Sequence, residues 1–363
     1  MKSNNFCVIM AGGIGSRFWP ISRTNKPKQF LDILGTGKSL IRQTFERFQQ
    51  IIPVENFYIV TNEDYVSLVK EHLFELSDHQ IIGEPMRRNT APCIAYANYK
   101  IKKQNPDANI VVAPSDHLIL KENDFLNVVK LGLETVSNSS SLLTLGIKPS
   151  RIETGYGYIQ IENNKSSIID NITIKKVKTF TEKPNFDLAK IFYESGEFYW
   201  NSGIFFWSLK SILKSFETYL PEVDNSFKKI EDKLNTPDEF QVIKDTYTQC
   251  KNISIDYGIM EKAENVNVLC SDFGWSDLGT WGSLYEHLNK DEQGNTLHGN
   301  GVLSYENKNC LINLNGNKIA VIQGLEDYIV VESDNILLIC KKQDEQKIKN
   351  YVNDVKLKNS NAI

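Results

Sequence analysis

Apolar runs of strand length alternate with longer stretches of helical period over the first part of the chain. Phe6–Met10, Phe57–Val60, Ile110–Ala113 and Leu142–Ile147 predict buried strands, and Leu40–Gln50, Glu63–Leu76, Ala91–Lys103 and Asp124–Ser137 predict the helices between them. That order predicts a doubly wound α/β sheet. From Tyr156 the pattern turns to alternating strands, Tyr156–Ile161, Val177–Thr181 and Ile204–Trp207, followed by polar helices to about Asn289. These extend the first layer as a mixed sheet, so no boundary is expected before 290. Near Asn295 the texture changes to short strand-like pieces separated by Asn, Gly and Asp: Val302–Tyr305, Cys310–Asn313, Ile319–Ile322, Tyr328–Glu332 and Ile336–Cys340. Strands this short and evenly spaced predict a small β stack or an irregular coil of repeats, closed by a charged helix from about Gln343. The expected division is 1–290 and 291–363.

Length and charge narrow the function. The 363 residues suffice for a large domain and a small one. The formal net charge is -4, with acidic and basic residues interspersed, which leaves no electrostatic footprint for nucleic acid or an anionic membrane. The apolar stretch after Met1-Lys2-Ser3-Asn4-Asn5 is too short for a signal-peptide core or a membrane span, and a cytoplasmic protein is expected. Six cysteines without C-x-x-C spacing, several in apolar runs, read as buried reduced thiols. The five histidines have no metal-ligand spacing, so a metal would be held by carboxylates and phosphates.

The chemistry begins directly after the first strand. Ala11-Gly12-Gly13-Ile14-Gly15-Ser16-Arg17 falls on a loop at the carboxyl edge of the sheet, where open α/β sheets bind ligands. Its glycines leave backbone N–H groups uncovered for anionic oxygens, and Arg17 can add a bidentate clamp; an ordinary tight βα turn explains the glycines equally well. A dinucleotide fingerprint fails because Phe18 stands where the third glycine belongs. A P-loop fails at Gly37-Lys38-Ser39 because Asp32 replaces its first glycine. That piece reads as a loop entering a helix capped by Ser39. The continuation Phe18-Trp19-Pro20-Ile21-Ser22-Arg23 and Lys26-Pro27-Lys28-Gln29-Phe30 supplies a second cation, Lys28, that can face the same phosphates.

The string from Ala11 to Phe30 resembles the nucleotidylyltransferases that activate sugar phosphates, and specifically the mannose-1-phosphate guanylyltransferase group. The likeness recurs along nearly the whole chain. Gly83-Glu84-Pro85 with Arg88-Asn89-Thr90-Ala91-Pro92 resembles the family's base-recognition loop, with Cys93 where alanine is commoner. Ala113-Pro114-Ser115-Asp116-His117 resembles its metal site. Gly155-Tyr156-Gly157-Tyr158-Ile159, Phe180-Thr181-Glu182-Lys183-Pro184 and Trp200-Asn201-Ser202-Gly203-Ile204-Phe205 resemble its sugar-phosphate segments, and Trp275-Ser276-Asp277-Leu278-Gly279-Thr280-Trp281 the loop of a second metal carboxylate.

The resemblance implies a Rossmann-like, glycosyltransferase-A-like catalytic domain with a C-terminal domain similar to a short left-handed β-helix. It implies an enzyme that joins GTP to mannose 1-phosphate with Mg²⁺ and releases pyrophosphate. Arg17, Lys28, Asp116 and Asp277 are then the catalytic candidates, the two aspartates holding the metal. Ala11, Gly12, Gly13, Gly15, Ser16, Glu84, Asn89, Thr90 and Ser115 would bind nucleotide, and Gly157, Glu182, Lys183 and Asn201 the sugar phosphate. A homodimer through the C-terminal domain is also implied. Longer bacterial relatives carry a phosphomannose isomerase domain that this sequence does not reach, so one activity is expected. Each segment has a plain structural reading beside the functional one. Asp116 and Asp277 could cap helices, Glu182-Lys183 could be a solvated pair beside a turn, and Asn201 could brace a loop. Tyr199, Trp200, Phe205, Phe206 and Trp207 read as core rather than a stacking platform for sugar. A same-fold enzyme for another sugar or base, or a silent sugar-nucleotide-binding regulator, remains open; a regulator would be expected to have lost one of Arg17, Lys28, Asp116 and Asp277, and all four are present.

Overall fold

The computed structural model describes residues 3–169, 172–314, 318–359 and 363. The chain forms two compact units. The first comprises Met1–Gly12, Gln43–Ser115 and Ile119–Trp275, and the second Gly13–Arg42, Asp116–Leu118 and Ser276–Ile363. These units group segments 13–42, 116–118 and 276–290 with 291–363.

The first unit is built on β1 (Asn5–Met10), β2 (Phe57–Asn62), β3 (Ile81–Glu84), β4 (Asn109–Pro114), half of the two-residue β5 (Leu118–Ile119), whose Leu118 belongs to the second unit, β6 (Leu142–Ile147), β7 (Gly157–Ile169), β8 (Ile172–Glu182), β9 (Phe198–Ser208) and β10 (Val266–Ser271). All but β5 join one nine-stranded sheet of order β3-β2-β1-β4-β9-β6-β10-β8-β7. The neighbours among β1 to β4 are parallel, whereas β9 runs antiparallel to β4 and β6. Strands covered on both faces are mostly apolar, and β6 is buried at every position with Thr144 its one polar side chain. Helices α1 (Leu40–Gln49), α2 (Val66–His72), α3 (Thr90–Gln104) and α4 (Glu122–Ser137) connect the early strands. The expected helix over 63–76 is shorter. Its start is a 3₁₀ turn over Glu63–Tyr65 and it ends at His72, leaving Phe74 exposed. Around β9 come α5 (Phe186–Ser195, before it), α6 (Leu209–Tyr219), α7 (Pro221–Lys228) and α8 (Glu239–Gln249). Tyr96, Tyr99, Phe227 and Tyr247 pack as an aromatic cluster with ring centroids 5.9–6.2 Å apart. Phe205 and Trp207 stack at 5.8 Å and, with Phe206, are buried as core residues.

In the second unit, β11 (Trp275–Ser276) and α9 (Trp281–His287) precede β12 (Thr296–His298), β13 (Val302–Tyr305), β14 (Leu311–Leu314), β15 (Ala320–Gln323), β16 (Tyr328–Ser333), β17 (Ile336–Lys341) and α10 (Ile348–Lys358). Strands β12, β14 and β16 stack in parallel, as do β13 and β15, so successive coils lie one on another, and β17 closes the stack antiparallel to β16. Cys310, Ile312, Leu314 and Val330 fill the coil. A second cluster joins Phe18, Trp19, Leu278 and Trp281 to Leu311, Ile329, Val331 and Leu338. The loops carrying Arg17, Lys28 and Asp277 are therefore anchored on the β coils. No helix among the described residues is long and apolar enough to cross a membrane.

Candidate active site

The second unit assembles charged candidates around one ammonium. Lys28 Nζ donates to Asp116 Oδ2 at 2.9 Å and to the Asp277 main-chain oxygen at 2.8 Å, and sits 5.4 Å from the centre of the Phe18 ring. The Lys28 side chain is only 3 % exposed. Its backbone is tied to the glycine loop, the Lys28 N–H donating to Ile14 O at 3.1 Å and Gln29 Nε2 to Gly13 O at 2.9 Å. Gly15 adopts φ 71°, and a Cβ there would stand 2.4 Å from Lys28 Cβ, so glycine is required both for the turn and for the lysine packed against it. Gly13 has open space where a side chain would be. Ser16 and Arg17 lie on the 3₁₀ turn Ser16–Phe18. Arg17 Nε is buried with no hydrogen-bond partner among the described residues, an orphaned donor that calls for an acceptor.

Neither aspartate is a helix cap. Asp116 is followed by β5, and α4 starts at Glu122 after Lys121. Helix α9 is capped by Thr280, whose hydroxyl accepts from the Ser283 N–H in a reciprocal pair. Asp277 Oδ1 instead accepts from the Gly279 N–H at 2.8 Å, in a turn that forces Leu278 to φ 45°. Burial would raise the Asp116 carboxyl, but the Lys28 ammonium, with His117, overcomes this and holds it below its ordinary value. No cluster of three or more His, Cys, Asp or Glu side chains that could hold a metal occurs among the described residues.

The first unit carries the other candidates in two groups. Ala11 is fixed by β2, its N–H donating to Val60 O at 2.7 Å and its carbonyl accepting from Thr61 Oγ1 at 2.9 Å. Glu84 ends β3, a strand that Gly83-Glu84-Pro85 disguises as a loop. It is buried, and a Cβ on Gly12 would lie 3.7 Å from its Oε2. Burial pushes its pKa up to about 8 against the hydrogen bond from the Tyr247 hydroxyl at 3.1 Å and the charge of Arg87. Glu84 is thus mostly protonated at neutral pH in the free protein. Asn89 and Thr90 open α3: Asn89, at φ 66°, accepts from the Thr90 N–H, and Thr90 Oγ1 accepts from the Ile255 N–H at 2.8 Å. Ser115 is buried at the end of β4, its N–H bonded to Met10 O and its carbonyl to Thr44 Oγ1.

Register explains the second group. Gly157 on β7 pairs with Glu182 on β8, Tyr158 with Trp200 on β9, and Gly146 on β6 with Asn201 across a bulge. A Cβ on Gly157 would stand 2.5 Å from Glu182 Oε2 and 3.4 Å from Asn201 Cβ, so this glycine admits both side chains. Lys183, at φ 47°, donates from Nζ to Glu182 Oε1 at 2.6 Å, and its side chain is 58 % exposed. Asn201 Oδ1 accepts from Thr144 Oγ1 and from the Gly203 N–H, both at 3.2 Å, and its Nδ2 donates to Asp256 Oδ1 at 2.7 Å. Sequence reasoning missed Asp256. It opens a π-helical turn, Asp256–Met260, and the apolar spacing of Ile255, Ile259 and Met260 around it looks like any amphipathic helix. Burial and the charge of Glu182 raise its pKa to about 6.

Residues 6–294 match the nucleotidyl transferase family. A mannose-1-phosphate guanylyltransferase of Escherichia coli is 34 % identical over 98 % of this chain and 77 % of its own. This chain belongs to the mannose-1-phosphate guanylyltransferase family. Mannose-1-phosphate guanylyltransferase 2 of Escherichia coli O157:H7 is 36 % identical, with 96 % of this chain and 73 % of its own covered. Residues 300–355 match the mannose-phosphate isomerase/GMP-like β-helix domain, which agrees with the stacked coils. The crystal structure of a mannose-1-phosphate geranyltransferase from Thermus thermophilus superposes with a TM-score of 0.85, 25 % identity, and 98 % and 100 % of the two chains covered. As a member of the family the chain is a nucleotidyltransferase, with the α/β sheet and C-terminal β domain described above.

Proposed function

We propose that this chain transfers GMP from GTP to α-D-mannose 1-phosphate, giving GDP-mannose and pyrophosphate. The observation that carries the reading is the Lys28 ammonium held by Asp116 and the Asp277 loop, on the same unit as Arg17 with its buried, orphaned Nε donor. Together with the family, this is equipment for handling polyphosphate rather than for covalent catalysis.

The reaction asks for positioning and charge neutralisation. A phosphate monoester has a second pKa near 6 and is mostly dianionic at neutral pH, so the sugar phosphate is a ready nucleophile. Its obstacle is the negative charge around the α-phosphorus, which it must approach opposite the departing pyrophosphate. Arg17 offers its orphaned donor to the leaving group, and Lys28 adds a compact positive charge. The backbone N–H groups of Gly12, Gly13 and Gly15 receive phosphate oxygens, with open space beside Gly13 and with Ala11, Ser16 and Ser115 fixing the loop ends. Lys183 leaves Glu182 to meet the incoming phosphate, while Glu182 and Asn201 hold mannose hydroxyls over Gly157. Glu84, with Asn89 and Thr90 shaping its loop, reads the guanine.

Nucleotidyltransferases of this kind use a divalent cation, and the donors suit Mg²⁺. Two carboxylates, Asp116, paired with Lys28, and Asp277, whose main-chain oxygen accepts from the same ammonium, match an ion that takes one or two carboxylates and completes its shell with phosphates and water. Bound there, Mg²⁺ would neutralise phosphate charge. All six cysteines are free thiols, which supports a reducing, cytoplasmic setting. Exposed Leu303 and Tyr305 on β13 and Val321 on β15 give the coil an apolar outer face, which supports a homodimer through the C-terminal domain. A pyrophosphate-release assay crossing four nucleoside triphosphates with a panel of sugar 1-phosphates tests the reading. GTP with mannose 1-phosphate should lead; a clear lead for another pair would replace the assignment.

A further inference from the structure

Asn201 keeps one amide N–H for a ligand, because Thr144 and Gly203 engage its Oδ1 and Asp256 takes its other N–H. That raises the question of what Asp256 itself is for. Its Oδ1 takes the Asn201 amide, its own backbone N–H also acts on the carboxylate, and no further side-chain donor to it is present among the described residues. A half-buried carboxylate is costly unless its oxygens are paired. The groups facing it are Glu182 and Lys183 from the end of β8, and Tyr257 and Glu261 from its own segment. Two carboxylates, Glu182 and Asp256, therefore flank Asn201 beside Gly157, whose missing side chain leaves room at the same spot. The π-helical turn carries the aspartate, its carbonyl accepting from the Glu261 N–H. The Thr90 and Arg88 contacts to segment 253–255 hold the approach to it in place.

From this arrangement we infer that Asp256 is a sugar-binding residue, its Oδ2 accepting one mannose hydroxyl while Oδ1 orients Asn201. The inference rests on the sugar-phosphate reading of Gly157, Glu182 and Asn201. Asp256→Asn keeps the shape and the acceptor for Asn201 but weakens acceptance from a hydroxyl, whereas Asp256→Ala removes both. Steady-state kinetics with mannose 1-phosphate and each of its 2-, 3-, 4- and 6-deoxy analogues reads the contact directly. Asp256→Asn should raise KM for mannose 1-phosphate about tenfold, the loss of one charge-assisted hydrogen bond, with KM for GTP within about twofold. For one deoxy analogue alone the variant should match the wild type, because the contacted hydroxyl is already gone. An Asp256→Asn enzyme with normal KM, while Asp256→Ala fails, would make Asp256 only a brace for Asn201 and overturn the inference. So would an equal loss on every analogue. A wild-type chain that does not turn over mannose 1-phosphate would instead sink the underlying reading.

Discussion

Protonation of Glu84 should control guanine recognition. Guanine presents N1–H and the 2-amino group side by side, a pair that an ionised carboxylate accepts and that neither adenine nor thymine offers. In the free protein the carboxyl sits at a pKa of about 8, so it must lose its proton to bind in this way. Between pH 6.5 and 8.0 its ionised fraction rises from about one-thirtieth to one-half, and GTP affinity should strengthen roughly fifteenfold over that span from this group alone. Glu84→Gln cannot ionise, so its disadvantage against the wild type should widen by the same factor as pH rises. Replacing the charged pair should cost about 1.5–3 kcal/mol at the upper end. Calorimetric titration with GTP in two buffers of different ionisation enthalpy at pH 7 should find about one more proton released by the wild type than by Glu84→Gln. Stability carries the same signature with a fixed sign. The folded pKa lies above the ordinary 4.5, so protonated Glu84 contributes fully below pH 4.5, and the contribution is lost as pH rises towards 8. The variant should show a flatter decline in thermal stability over that window. Equal proton release, together with an unchanged preference for GTP over dTTP, would refute the reasoning and leave Glu84 as a partner of Tyr247 alone.

Arg17→Lys keeps a charge but loses the planar fork, and kcat should fall at least about tenfold; a rise only in KM for GTP would put Arg17 in ground-state binding. Asp277→Asn and Asp116→Asn should each lower turnover at least about tenfold, and the double variant should lose less than the product, because both serve one ion; full turnover across a magnesium titration would remove the residue concerned from the metal. Gly15→Ala should be as damaging as loss of the Lys28 charge, since its Cβ would stand 2.4 Å from Lys28 Cβ at positive φ. A Gly15→Ala enzyme with normal kinetics would show that Lys28 need not be held where it is.

Local pattern made much of this legible. The first strand and its glycine loop, the strand ending at Pro114 before Asp116, and the short C-terminal strands all declare themselves by period and punctuation, and β13 spans Val302–Tyr305 as expected. What stayed hidden depends on distant partners. Ile81-Ile82 before Gly83-Glu84-Pro85 is too short to announce a strand, so Glu84 read as part of a base-recognition loop. Only the surroundings of Tyr247, far along the chain, bury it and raise its pKa. Asp256 is marked by its bond to Asn201, 55 positions away. The grouping of segment 13–42 with the β coils follows from Phe18, Trp19 and Trp281 sharing a core with Ile329 and Val331, which no local window contains.

The central claim is that a GMP unit, and not a phosphoryl group, passes to mannose 1-phosphate. Incubating the protein with mannose 1-phosphate and Mg²⁺ and GTP labelled at either the α- or the γ-phosphate follows the transferred atoms directly. The account predicts that all α-label entering product is found in GDP-mannose and all γ-label in pyrophosphate, in equal amounts. Label from the γ-position on the sugar, or no sugar nucleotide while another sugar 1-phosphate is consumed, would contradict it.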